Sequence, residues 1–341
     1  MHITEDEQYE KEFYLKIYEG FDNNISSISH EEKRNHVPIV ELKSLATFQL
    51  EFVPYCLTHC RVYELSETKK YENILLLSGS DDLIHAYRRN CSTENTFDEI
   101  EDGEMMHLFP EFAQMTPSPA VSVSFAYHEQ EHVMNRWSAL GCQDGQLQVF
   151  QVDSHKGEIL RLFEDLDFAG LGGIHHIKFF SINSNLESGL SIFNLIVVPS
   201  LERSAIYIDI TNKKRQLELE KETQMLENSS DFDSVNACAI LDIDGDGYPE
   251  IVLGTYGQQL MVYKISNRYD ERKALTSEDE SGALPKWSLW TKQTFSYPIL
   301  AVEGWENLKR HKEDNHKYFT PSVLAVTTIK AIHILYYDRN V

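Results

Sequence analysis

The chain has 341 residues, 42% of them hydrophobic, and its charged side chains sum to 31 − 54 = −23. That length and apolar content fit two compact domains or one modular architecture and exclude a disordered tail. The acidic balance excludes a general nucleic-acid binder, which needs positive surface to displace phosphate counterions, and simple adhesion to anionic lipid.

Protein partners are therefore expected. The first nine residues are polar and acidic, with neither a basic region nor an apolar core, so they do not read as a secretory signal. The longest apolar runs, such as 74–77 and 195–199, are far too short for a bilayer span, so no direct membrane insertion is expected. The five cysteines (Cys56, Cys60, Cys91, Cys142, Cys238) are odd in number and scattered, which fits reduced thiols in a cytoplasmic protein.

In chain order, residues 13–18 read as the closing strand of a repeat unit whose earlier strands are missing. Five similar segments follow at 74–89, 138–152, 194–210, 250–265 and 322–337. Each is a β-rich run, a tight polar turn and an alternating strand. Aligning Tyr87, Phe150, Tyr207, Tyr263 and Leu335 gives spacings of 63, 57, 56 and 72 residues. A lone apolar strand precedes each hairpin, at 60–65, 121–127, 174–182, 235–241 and 298–302. Period-2 alternation marks the strands, and Asp144-Gly145 is a hairpin turn signal because both residues tolerate positive φ.

A lone strand plus a hairpin, with room for a fourth strand in the connection, is the mark of a β-propeller. A β-sandwich would show strands every 8–12 residues without this longer period. The expected fold is all-β, a single propeller-like domain with blades at about 48–90, 118–153, 173–210, 234–266 and 287–337 and a partial blade at 12–20. Five units and a fragment do not close a seven-bladed ring, so either the chain lacks the N-terminal part of a seven-bladed parent or it closes as a smaller ring. The connections are long and polar. Residues 91–119 carry an apolar island at 108–112, 211–233 include a candidate short helix at 216–226, and 269–285 read as a solvated loop.

The sharpest chemical signal is Asp242-Ile243-Asp244-Gly245-Asp246-Gly247-Tyr248-Pro249-Glu250. Carboxylates at positions 1, 3, 5 and 9 can converge on one hard cation, with Gly at 6 for the turn and the Tyr248 carbonyl as a further oxygen. An EF-hand is excluded, since position 12 is Leu253 and the flanks are strand-like. The remaining pattern is the DxDxDGxxD/E loop of FG-GAP repeats, holding a structural Ca²⁺. The alternative is an Asx-turn loop that keeps its acids without metal. Cys56, His59 and Cys60 lack the further ligands of a zinc site. His175 and His176 point to opposite faces of a strand, so they cannot chelate one ion together. There is no GxxxxGK[ST], GxSxG or HExxH pattern, and neither catalytic nor cofactor-binding residues are expected.

Several segments resemble the kaptin family: residues 48–54, Leu75 to Asp81, Leu108 to Glu111, Ser138 to Gly145, Asp231 to Val235 and Gly254 to Gln258, collinear over about 13–335. The resemblance implies an FG-GAP propeller protein without enzymatic activity. It further implies a subunit of KICSTOR, a lysosome-associated scaffold that tethers the GATOR complex and restrains TOR signalling when nutrients are short. Implied partners are the other KICSTOR subunits, including a second FG-GAP protein, and GATOR. Actin filaments are the alternative partner, because kaptins are also described as actin-associated. The acidic loop carries over as Asp242, Asp244, Asp246, Tyr248 and Glu250. In the last repeat, residues 305–310 lack the acids of a second such loop.

Overall fold

The computed structural model describes residues 12–22, 40–63, 71–90, 96–113, 115–130, 133–154, 156–165, 172–182, 193–210, 223–266, 285–305 and 322–336. Among these, the strands form a two-stranded hairpin followed by five blades in chain order. The hairpin is β1 (Phe13–Asp22) with β2 (Val40–Leu50). Blade 1 contains β3 (Pro54–Tyr63), β4 (Tyr71–Gly79), β5 (Ile84–Asn90) and β6 (Thr96–Glu99). Blade 2 contains β7 (Ala120–Gln130), β8 (Val133–Cys142), β9 (Leu147–Asp153) and β10 (Glu158–Asp165). Blade 3 contains β11 (Ile174–Ser181), β12 (Phe193–Pro199), β13 (Ala205–Tyr207) and β14 (Thr223–Met225). Blade 4 contains β15 (Val235–Leu241), β16 (Glu250–Thr255), β17 (Gln259–Ile265) and β18 (Trp287–Thr294). Blade 5 contains three strands, β19 (Ile299–Trp305), β20 (Val323–Thr328) and β21 (Ile332–Tyr336). Each blade is an antiparallel meander, and the whole is a β-propeller.

Two sequence expectations change. Residues 287–294, expected in the last blade, pair with β17 as the outer strand of blade 4. Within the candidate helix at 216–226, Thr223–Met225 instead forms the outer strand of blade 3. The rest of that segment up to residue 222 lies outside the described residues, as do 306–310.

The cores lie between sheets rather than within one. Separate clusters sit at the seams of blades 1 and 2, 2 and 3, 3 and 4, and 4 and 5, and another joins the β1–β2 hairpin to blade 1. A sheet has two faces, and a blade inside the array buries both. That explains the near-continuous burial of β12 and β16, which read as unbroken apolar runs instead of alternating ones.

The inner strands share one irregularity. Register shifts at Pro54/Cys56, Ala120/Ser122, Ile174/His176, Val235/Ala237 and Ile299/Ala301 place a bulge at the same point of all five blades. A bulge leaves backbone groups unpaired within its own sheet, and here neighbouring blades take them up. Ser78 Oγ donates to Ala120 O (2.5 Å), and His175 Nδ1 and His176 Nε2 bond Val235 O (3.2 Å) and Asn236 O (2.7 Å). Asn236 Nδ2 donates to Ile299 O at 3.2 Å. The two histidines thus tie blade 3 to blade 4. Glycines allow the close approach: a Cβ at Gly141 would lie 2.6 Å from Ile174 and Ile177, and one at Gly254 would lie 2.5 Å from Ile299.

The connection after β6 is folded into the core. It carries α1 (Asp102–Leu108) and a 3₁₀ turn at Pro110–Phe112, with Met105, Phe109 and Phe112 buried against blades 1 and 2. Glu111 enters with them, and Arg136 meets it through bonds of 2.8 to 3.0 Å, both side chains being fully buried. Ser138 Oγ adds a second partner to Glu111, and Arg136 also donates to Leu108 O and lies over the Phe109 ring. No helix among the described residues is long and apolar enough to cross a membrane.

Candidate cation-binding loop

The acidic loop joins the inner strand of blade 4 to its second strand, between Leu241 and Glu250. Antiparallel pairing of Leu241 with Glu250 closes its base. Gly245 (φ 67°) and Gly247 (φ 93°) occupy left-handed backbone, which residues with a Cβ adopt at a penalty, so the turn depends on glycine at both. The carboxylates hold the loop's own amides: Asp242 Oδ2 accepts from Gly247 N (2.9 Å), Asp244 Oδ1 from Asp246 N (3.2 Å), and Asp246 Oδ1 from Tyr248 N (2.9 Å). Ser322 Oγ donates to Asp242 O, anchoring the loop to blade 5.

Of the five expected ligands, Asp242, Asp244 and Glu250 bring one carboxylate oxygen each within 4.8 Å of one another. Asp246 stands outside that trio and is more exposed, while the Tyr248 side chain packs against the core between blades 3 and 4. Glu250 is fully buried. Its Oε2 accepts from Ile243 N at 2.7 Å, while Oε1 accepts no hydrogen bond. Burial pushes the Glu250 carboxyl up to about 8, against the opposing Ile243 hydrogen bond. Burial also raises Asp242.

Sequence reasoning missed Lys264. Its ammonium donates to Asp244 Oδ2, lies 2.7 Å from Asp246 Oδ2 and 3.9 Å from Glu250 Oε1, and sits 5.4 Å from the centre of the Trp290 ring. Burial works against its charge, but the bonds to Asp244 and Asp246 outweigh it and raise its pKa. The signal was available: the hairpin pairs Ile251 with Tyr263, so the next rung sets Glu250 beside Lys264. The loop can neutralise a cation and brace a turn, and the geometry offers no nucleophile paired with a base.

The other sequence candidates fall elsewhere. Cys60 is buried, with Tyr127 Oη donating to its sulfur at 3.3 Å, and Cys56 is half-buried. His175 and His176 serve the seam described above.

The profile of the family described as KICSTOR complex protein kaptin matches residues 1–341. The curated mouse (Mus musculus) protein "KICSTOR complex protein kaptin" is 29% identical over 297 residues, covering 86% of this chain and 60% of that protein. This chain therefore spans about three fifths of that relative's length. A solved structure of BBS1N in complex with ARL6DN is similar with a TM-score of 0.46 and 10% identity, over 89% of this chain and 74% of that one.

Proposed function

The chain belongs to the family of KICSTOR complex protein kaptin, and on that premise we propose that it is a non-catalytic propeller scaffold within a KICSTOR-type assembly. In this reading it acts from the cytoplasm and is held at the lysosome through its complex. It helps to tether GATOR and so restrains TOR signalling when nutrients fall. The family match along residues 1–341 carries the proposal.

The surface supports it. In a four-stranded meander, the turn between strands two and three shares an end of the blade with the connection to the next blade. Hydrogen bonds from Ser80 N to Val53 O, Ser200 N to Gly173 O and Phe295 N to Gln258 O tie these segments together. That end presents Val53, Leu201, Tyr256, Tyr297 and Ile329 as exposed apolar side chains, with Leu201 71% and Tyr256 54% exposed. Around them lie Glu51, Asp81, Glu202, Asp231 and Asp233 against Arg203 and Lys330. Apolar anchors in an acidic rim suit a basic protein surface, where charge complementarity steers encounter and apolar burial supplies affinity.

The test is affinity purification of the tagged protein with mass spectrometry. Recovery of other KICSTOR subunits and GATOR components, reduced by the pair Leu201→Asp and Tyr256→Asp, is the expected result. Cosedimentation with purified actin filaments, without those partners, would transfer the assignment to a cytoskeletal role.

A further inference from the structure

We infer that Lys264 is the built-in counterion of the Asp242–Glu250 loop, and that a divalent cation enters the loop only by displacing it. The ammonium stands among the carboxylates that the loop motif would turn toward a metal, bonded to Asp244 and Asp246. A divalent cation bound beside it would face a positive charge at contact distance and would find two of its oxygens already engaged.

The lysine does not fully satisfy the site, and this points to a second ligand. Glu250 Oε1 is buried, accepts no hydrogen bond and lies 3.9 Å from the ammonium, beyond hydrogen-bond reach. A buried oxygen left unpaired is unfavourable and calls for a partner. An ammonium has three donors in fixed directions. Ca²⁺ instead gathers six to eight oxygens at about 2.3–2.6 Å in adaptable geometry, so it can take Glu250 together with the aspartates. A landing place for the displaced lysine is close, since its nitrogen already lies over Trp290, whose ring face attracts cations. Two states follow: a lysine-bridged loop when divalent cation is scarce, and a cation-filled loop with Lys264 on Trp290.

Isothermal titration with CaCl₂, alongside melting curves with and without chelator, tests this on the full chain. The comparison uses wild type, Lys264→Met, Lys264→Gln, Lys264→Arg and Lys264→Met/Asp244→Asn. Wild type and Lys264→Arg are expected to bind Ca²⁺ weakly, in the millimolar range that low-affinity sites occupy. Lys264→Met and Lys264→Gln should bind at least tenfold tighter and gain melting temperature with Ca²⁺. The double variant should lose that gain. Equal affinity in wild type and both uncharged variants, or no Ca²⁺ heat in either uncharged variant, overturns the inference. Circular dichroism in chelator shows which variants are folded, and the Met and Gln variants back each other up.

Discussion

Arg136 should be among the most costly single residues to change, although it touches neither the acidic loop nor the exposed apolar end. Replacing it with methionine keeps most of its length but leaves the Glu111 carboxylate buried with Ser138 as its remaining side-chain partner. Breaking a buried ion pair by removing one partner costs about 3–5 kcal/mol, because the other charge stays behind without compensation. The stacking of the guanidinium over Phe109 is lost as well, at 4.8 Å in the native protein. Unfolding entropy of about 2.1 cal/mol/K per residue gives roughly 0.7 kcal/mol/K for this chain, so the melting temperature should fall by about 4–7 °C if the chain unfolds as one unit. The second variant makes the reasoning sharp. Arg136→Met combined with Glu111→Leu removes both charges, and apolar replacement of a whole pair is often neutral. The double variant should therefore recover at least half of the loss, measured by chemical denaturation as a double-mutant cycle. A loss below about 1 kcal/mol for Arg136→Met, or a double variant less stable than the single, would refute the argument.

Two further outcomes follow from the seams. Gly254→Ala forces a methyl against Ile299 and Val302 and should cost about 1–3 kcal/mol by overpacking, read as a lower denaturation midpoint. Burial, chiefly, lowers the pKa of His176 below its ordinary 6.5, so the folded protein binds its proton less readily than the unfolded chain. The stability this histidine contributes is present above pH 6.5 and is lost as pH falls through its folded value. His176→Gln should flatten the stability–pH curve in that window, and an unchanged slope would place the titration elsewhere.

The succession of blades was legible because turns fix register. Asp144-Gly145 and Tyr256-Gly257-Gln258 interrupt apolar runs at matching positions, and a slip of one residue would turn a buried face outward. The outer strands were harder to read. Thr96–Glu99 and Trp287–Thr294 are largely exposed, so burial imposes little pattern on them, and the latter was assigned to the wrong blade. The inner-strand bulges leave no trace in composition, since the bulged positions carry residues as different as Val121, His175, Asn236 and Leu300. Of the acidic loop, sequence showed the carboxylates and glycines but not the lysine that answers them. Glu111 was read only as part of the apolar island at 108–112, because no local pattern marks a charge whose partner lies 25 residues away, on β8.

The two ends of the propeller divide the work differently. One end carries short turns hydrogen-bonded to the connections beside them, so its exposed apolar side chains stand on backbone that is already fixed. Presenting anchors on such a frame lowers the ordering entropy lost on binding. The acidic loop leaves the opposite end, where the first strand of each blade turns into the second. Its aspartates are spent on their own backbone amides and on Lys264, and Ser322 ties it to the next blade. Charge used in this way holds the turn between β15 and β16, and through Ser322 it also holds the seam to blade 5. A cation exchanged for Lys264 would therefore be felt first as a change in the packing of blades 4 and 5, at a distance from the end proposed for docking.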